Sequence, residues 1–201
     1  TGGQNAMIVD SSALLEQVVD DVLLSAFGSA GQRCSALRVL FLQEEIAEKF
    51  LKILSGAMQM LRVGLPENLS TDIGPVIDQE ALSRLRAHEE FLARTGRMIA
   101  RVPLNSELTQ RGFFFAPAAY EIADIDQLKD EVFGPILHVI RYKEENREVL
   151  VEQINRLGYG LTFGVQSRIG SVQKELAKGI DAGNVYINRS MIGAVVGVQP
   201  F

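Results

Sequence analysis

A chain of 201 residues is long enough to bury one full core. Its 47% apolar and 22% charged residues are those of an ordinary globular protein, and a net charge of −5 argues against nucleic acid or anionic membrane as the main partner. The single cysteine excludes an internal disulfide and suits a reducing compartment such as the cytoplasm, and no apolar run approaches the roughly 20 residues that span a bilayer.

After the opening TGGQNA, Met7–Val9 predicts a buried strand, and Asp10, Ser11 or Ser12 stands where a short polar side chain caps the next helix. Leu15, Val18, Val19, Val22, Leu23 and Phe27 recur at three- and four-residue spacing, as on one face of that helix, which Gly28 and Gly31 end. Ala36–Leu42 is nearly all apolar and reads as a strand covered on both faces. A second helix carries Ile46, Phe50, Ile53, Leu54, Met58 and Leu61 on its inner side, and Pro66 closes that unit. The charged stretch Gln79–Arg94 predicts a surface helix, followed by weaker strand signals at Met98–Val102 and Phe113–Tyr120.

Ile136–Tyr142 (strand), Arg147–Leu157 (helix), Leu161–Gln166 (strand), Ser171–Lys178 (helix) and Asn184–Asn188 (strand) complete the order. Such alternation implies βαβ units, hence one α/β domain with a mainly parallel sheet flanked by helices. Asn68 and Asn188 each open an Asn-x-Ser triplet, but no signal peptide accompanies them, and both read as chance matches.

Cys34 lies in FGSAGQRCSALRV, in a glycine-flanked loop after a helix, where backbone N–H groups can face a substrate oxygen. Arg33 beside it could favour the thiolate if its side chain turns that way, and a free thiol with a pKa near ~8.5 needs such help at neutral pH. The plain alternative is a small apolar residue in a packed corner. Neither His88, in the charged helix, nor His138, inside PILHVI, is placed as its base; a solvated and a core histidine are expected, and two histidines with one cysteine make a poor metal site.

In DEVFGPI, Glu131 and Phe133 precede a buried strand, and strand ends are where open α/β sheets bind ligands. The carboxylate could accept from ribose hydroxyls and the ring could pack on a flat cofactor; a solvated turn Glu and a core Phe remain open. Gly158, Gly160 and Gly164 lack the dinucleotide-binding spacing. In NRSMIGAVVGVQPF, the small residues Gly193, Ala194 and Gly197 would let backbone N–H groups approach an anion.

Taken together, TGGQNA, FGSAGQRCS, EVFGP and GNVYIN followed by QPF resemble the aldehyde dehydrogenase superfamily, in the expected order and over essentially the whole chain. GQRCSALRVLF and NRSMIGAVVGVQPF narrow the resemblance to the L-glutamate-γ-semialdehyde (1-pyrroline-5-carboxylate) dehydrogenases, in particular the module found in bifunctional proline-utilization proteins. The resemblance implies the catalytic-domain fold of that superfamily, NAD+ as cofactor and Cys34 as nucleophile. It places Ser35 and Gly193–Ala194 around the substrate's α-carboxylate, with Arg33 nearby and Phe201 lining the aldehyde pocket. Glu131, Phe133 and Gly2 would serve the cofactor.

It also implies that the general-base glutamate precedes Thr1, and that the NAD-binding domain and a dimer-forming segment lie outside this stretch. Little turnover is then expected of residues 1–201 alone. A homo-oligomeric parent and, in a bifunctional one, an upstream proline dehydrogenase module with FAD follow from the same likeness. An aldehyde dehydrogenase for another aldehyde and a non-catalytic scaffold domain of the same fold are the competing readings.

Overall fold

The apolar runs of the sequence form the centre of a seven-stranded sheet in the computed structural model, which describes residues 3–158, 160–194 and 197–198. The strands are β1 (Ala6–Val9), β2 (Val39–Gln43), β3 (Arg97–Arg101), β4 (Ala118–Glu121), β5 (Ile136–Tyr142), β6 (Thr162–Gln166) and β7 (Asn184–Ile187). Their spatial order is β3-β4-β5-β2-β1-β6-β7. Only the β3–β4 pair is antiparallel. The helices are α1 (Leu15–Phe27), α2 (Glu44–Met58), α3 (Gln79–Thr95), α4 (Arg147–Arg156) and α5 (Gly170–Gly179).

Every residue of β1, β2 and β6 is buried, so both faces of the central sheet are covered, as near-continuous apolar runs require. The crossovers β1-α1-β2 and β6-α5-β7 advance in opposite directions along the sheet. Because such crossovers are right-handed, their helices lie on opposite faces. This is the predicted fold class.

Three local expectations are corrected. Asp10, Ser11 and Ser12 do not cap α1, whose N-cap is Leu14 without a side-chain bond. Instead, Asp10 accepts from the Ser12 backbone N–H at 2.7 Å and the Ser12 hydroxyl at 2.6 Å, and also from the Ser167 hydroxyl. Its oxygens join the carboxyl ends of β1 and β6 and so do not reach the helix. The strand expected from Phe113 begins only at Ala118, just past Pro117, which has no N–H for the ladder. Leu61 lies beyond the end of α2.

The surface helix α3 is half-inserted. Leu82, Leu85 and Leu92 are buried, and His88 is not the solvated side chain expected, because its Nε2 lies 2.8 Å from Nε2 of the core residue His138. His138 Nδ1 lies 2.9 Å from the Arg38 carbonyl oxygen, which can only accept, so Nδ1 carries the proton. His138 Nε2 is then an acceptor and His88 donates to it. Burial lowers the pKa of His88 from 6.5 to about 4. Burial and then the neighbouring His88 lower that of His138 from 6.5 to about 3.

Both rings are therefore neutral in the fold at pH values where the unfolded chain protonates them. Acid thus favours unfolding, and the stabilisation present above pH 6.5 is lost as pH falls toward these folded values. The urea midpoint should be flat from about pH 8 to 7 and decline from about pH 6.5 to 5, with a shallower decline in His88→Gln. Identical slopes in both proteins would contradict the assignment.

Candidate active site

Helix α1 ends in a tight turn, Gly28–Gly31, in which Ser29, Ala30 and Gly31 have φ of 56°, 52° and 64°. Two L-residues in the left-handed region are held at about 1–2 kcal/mol each, so the surrounding contacts must impose this path. A second turn follows, closed by the Ala36 N–H on the Arg33 carbonyl at 3.0 Å, and it leaves Cys34 exposed while Ser35 is buried.

The carbonyls of this loop point inward. Asn5, in the opening TGGQNA, donates from Nδ2 to the Cys34 carbonyl at 2.7 Å and the Ala36 carbonyl at 3.0 Å. Its Oδ1 accepts from the Thr162 N–H at 3.2 Å, and the Thr162 hydroxyl donates to the Ser35 carbonyl at 3.2 Å. The cysteine loop is thereby tied to the residue just before β1 and to the first residue of β6. Among the described residues nothing accepts from the Cys34 backbone N–H.

Arg38, not singled out in the sequence, lies at the centre of the arrangement with 1% of its surface exposed. Its Nη1 donates to the Gly31 carbonyl at 2.6 Å and the Gly134 carbonyl at 3.1 Å, and its Nη2 to the Arg33 carbonyl at 3.3 Å. Its Nε donates to Glu131 at 3.3 Å, and the guanidinium lies 4.7 Å from the centre of the Phe133 ring. Burial lowers its pKa, opposed first by Glu131 and more weakly by Cys34. A signal was available: a cation inside ALRVLFL must find partners, because an unpaired buried charge is too costly.

Glu131 is neither a solvated turn residue nor an isolated one, since its second oxygen accepts from the Gly3 N–H at 2.7 Å. Phe133 is 41% exposed and so is not a core residue. The two loops meet backbone to backbone. A Cβ on Gly31 would overlap the Gly134 carbonyl and come within 2.9 Å of the Ala26 carbonyl oxygen.

Arg33 does not turn toward the thiol. It donates from Nε to the Ser29 hydroxyl at 2.9 Å and from Nη1 to the Ile192 carbonyl at 3.4 Å. Its reach binds the glycine turn to the segment carrying Gly193 and Ala194, helped by the Met191 N–H on the Ser25 hydroxyl at 3.0 Å. Gly2 and Phe201 lie outside the described residues.

Cys34 precedes β2, Gly3 precedes β1, Glu131 and Phe133 precede β5, and Thr162 opens β6. All four strands are parallel neighbours, so the cluster lies at their amino ends. Glu131 and Phe133 do stand at a strand end, but at the amino end, whereas ligand sites in open α/β sheets lie at the carboxyl ends.

A model described as the aldehyde dehydrogenase family matches residues 1–201. The chain is 56% identical over 205 residues to the Bifunctional protein PutA of Escherichia coli, covering 100% of this chain and 16% of that protein. It is 33% identical over 204 residues to a 1-pyrroline-5-carboxylate dehydrogenase of a Geobacillus species, covering 100% of this chain and 38% of the relative. A crystal structure of a Bradyrhizobium japonicum Proline Utilization A (PutA) mutant superimposes with a TM-score of 0.95 at 50% identity, covering 100% of this chain and 20% of that one. A 1-pyrroline-5-carboxylate dehydrogenase from Thermus with bound NAD gives 0.89 at 34% identity, covering 100% of this chain and 38% of that one.

The contact between the two loops is directly testable. Gly31→Ala should lower unfolding free energy by more than about 1 kcal/mol, the cost of a left-handed alanine before any overlap is counted. An unchanged urea midpoint would show that the loops need not approach as closely as described.

Proposed function

The chain belongs to the aldehyde dehydrogenase family, and from that premise we propose that it is the cysteine-bearing part of an NAD+-dependent dehydrogenase. The reaction is oxidation of L-glutamate γ-semialdehyde, the open form of 1-pyrroline-5-carboxylate, to L-glutamate in proline catabolism. The observation that carries this reading is an exposed Cys34, its loop pinned by Asn5 and Thr162, at the same sheet edge as a fixed carboxylate and an exposed ring. The names of the relatives support the choice of substrate.

The residues suit a nicotinamide cofactor. Each Glu131 oxygen holds one protein donor, which leaves acceptor capacity for ribose hydroxyls. Arg38 lies over the Phe133 ring, and the ring's exposed surface is available for an aromatic ligand. Gly2 belongs with them by position in the opening motif. NAD+, when bound, accepts the hydride that leaves the substrate carbon.

Cys34 thiolate attacks the aldehyde carbon, forming a C–S bond as the carbonyl oxygen becomes an oxyanion. The Cys34 backbone N–H is positioned to donate to that oxygen, with a second donor from outside residues 1–201. Loss of hydride leaves a thioester on Cys34. Water, deprotonated by a carboxylate from outside these residues, attacks the acyl carbon; the C–S bond breaks and Cys34 thiolate is regenerated with the carboxylate product.

Ser35 and the backbone at Gly193–Ala194 anchor the α-carboxylate and Arg33 braces that anchor; by its place in the closing motif, the aldehyde-pocket role is assigned to Phe201. Ser35 is only 5% exposed, so a carboxylate reaching it sheds water at a cost that the anchoring donors must offset; a plain aldehyde would leave those donors unpaired, which favours the anion. Among the described residues no helix is long and apolar enough to cross a membrane. We place the reaction in the cytoplasm, in a homo-oligomeric parent that does not use this domain for nucleic acid. In a bifunctional parent, FAD would serve a separate proline dehydrogenase module.

In the intact parent, Cys34→Ala should lower kcat by about a thousandfold or more while leaving NAD+ affinity within a few-fold. Retained turnover would remove Cys34 as nucleophile. The parent should also prefer glutamate semialdehyde to an unsubstituted aliphatic aldehyde of equal length by about tenfold or more in kcat/KM. Equal efficiency would contradict the carboxylate anchor.

A further inference from the structure

We propose that Arg38 is a positioning residue that fixes the Cys34 loop and the Glu131–Phe133 segment relative to each other. Through one side chain it presents the nucleophile and aims the groups that receive the cofactor. The roles of those groups rest on the function proposed above; the coupling between the two loops rests on geometry alone.

Among the described residues, the guanidinium's polar contacts and its ring contact fall on these two loops. Gly31 and Arg33 carbonyls come from the cysteine side, and the Gly134 carbonyl, the Glu131 carboxylate and the Phe133 ring come from the other. A planar fork with five N–H donors can bridge such a set; an ammonium on a flexible stem cannot meet four separated oxygens and a ring face together. The backbone at Arg38 is held as firmly as the side chain. Its N–H donates to the Asn5 carbonyl at 3.0 Å, and its carbonyl accepts from the His138 N–H at 3.0 Å and His138 Nδ1 at 2.9 Å.

The fork also separates two effects. Its hold on the Gly31 and Arg33 carbonyls keeps the loop that carries Cys34 in place. Its shape fixes which Glu131 oxygen is taken, because Nε occupies one while the Gly3 N–H occupies the other. A residue that keeps charge but loses shape should therefore damage cofactor recognition more than the placement of Cys34.

The experiment uses the intact parent enzyme with Arg38→Lys and Arg38→Met, with two readouts: KM for NAD+, and the pH profile of Cys34 alkylation by iodoacetamide, which needs neither aldehyde nor cofactor. Arg38→Lys should raise KM for NAD+ about tenfold with the alkylation profile close to the parent's. Arg38→Met, which frees the Gly31 and Arg33 carbonyls as well, should also change the rate of Cys34 alkylation by about threefold or more. If Arg38→Met does not fold, the Lys variant decides: KM for NAD+ within about twofold of the parent's overturns the proposal. An alkylation rate unchanged in a folded Arg38→Met overturns it as well. Absence of aldehyde-dependent NADH formation in the parent would instead defeat the functional reading, while the alkylation profiles would still test Arg38.

Discussion

A guanidinium buried at the amino ends of a sheet's central strands must have its charge and its donors satisfied, since desolvation without partners costs a large share of a domain's margin of stability. In this chain Arg38 meets that demand with Glu131 and three backbone carbonyls. Those partners determine much of the rest. Gly31 must offer its carbonyl from a left-handed turn, and Gly134 must lie against it without a side chain between them. Phe133 is drawn to the surface with one face under the cation, and Cys34 is carried outward on the loop whose base Arg38 holds.

The sheet explains why this happens where it does. Four parallel neighbours present their amino ends together, and the segments leading into them bring Gly3, Asn5, Cys34 and Glu131 to one side of the sheet. At the opposite ends of β1 and β6, Asp10, Ser12 and Ser167 form a hydrogen-bonded knot. Satisfied in that way, the carboxyl ends serve to join strands. At the amino ends Asn5 and Thr162 instead pin three successive carbonyls of the cysteine loop, and the proposed chemistry rests on that loop.

The elements were legible because buried parallel strands and amphipathic helices have strong periodicities. Ile136–Tyr142 was bounded correctly as a strand, and α1 was recognised from its apolar stripe. Cys34, Glu131 and Phe133 were recognisable as candidates from the chemistry of their local motifs. Partner choice was not legible. Arg33 and Arg38 are both arginines near the cysteine, and only the fold shows that the adjacent one braces Ile192 while the distant one serves Glu131. His88 and His138 are fifty positions apart, and their contact exists only because α3 docks over β5. Spacing alone makes Asp10 a helix-cap candidate, because it cannot show that the end of β6 brings a better donor in Ser167.

The most direct measurement is peptide-level mass spectrometry of the intact parent, acid-quenched during turnover with NAD+ and glutamate semialdehyde. The account predicts a glutamyl adduct on the peptide containing Cys34, released by hydroxylamine as thioesters are and absent when NAD+ is omitted. Turnover with no such adduct on Cys34, or with the acyl group on another residue, would contradict it.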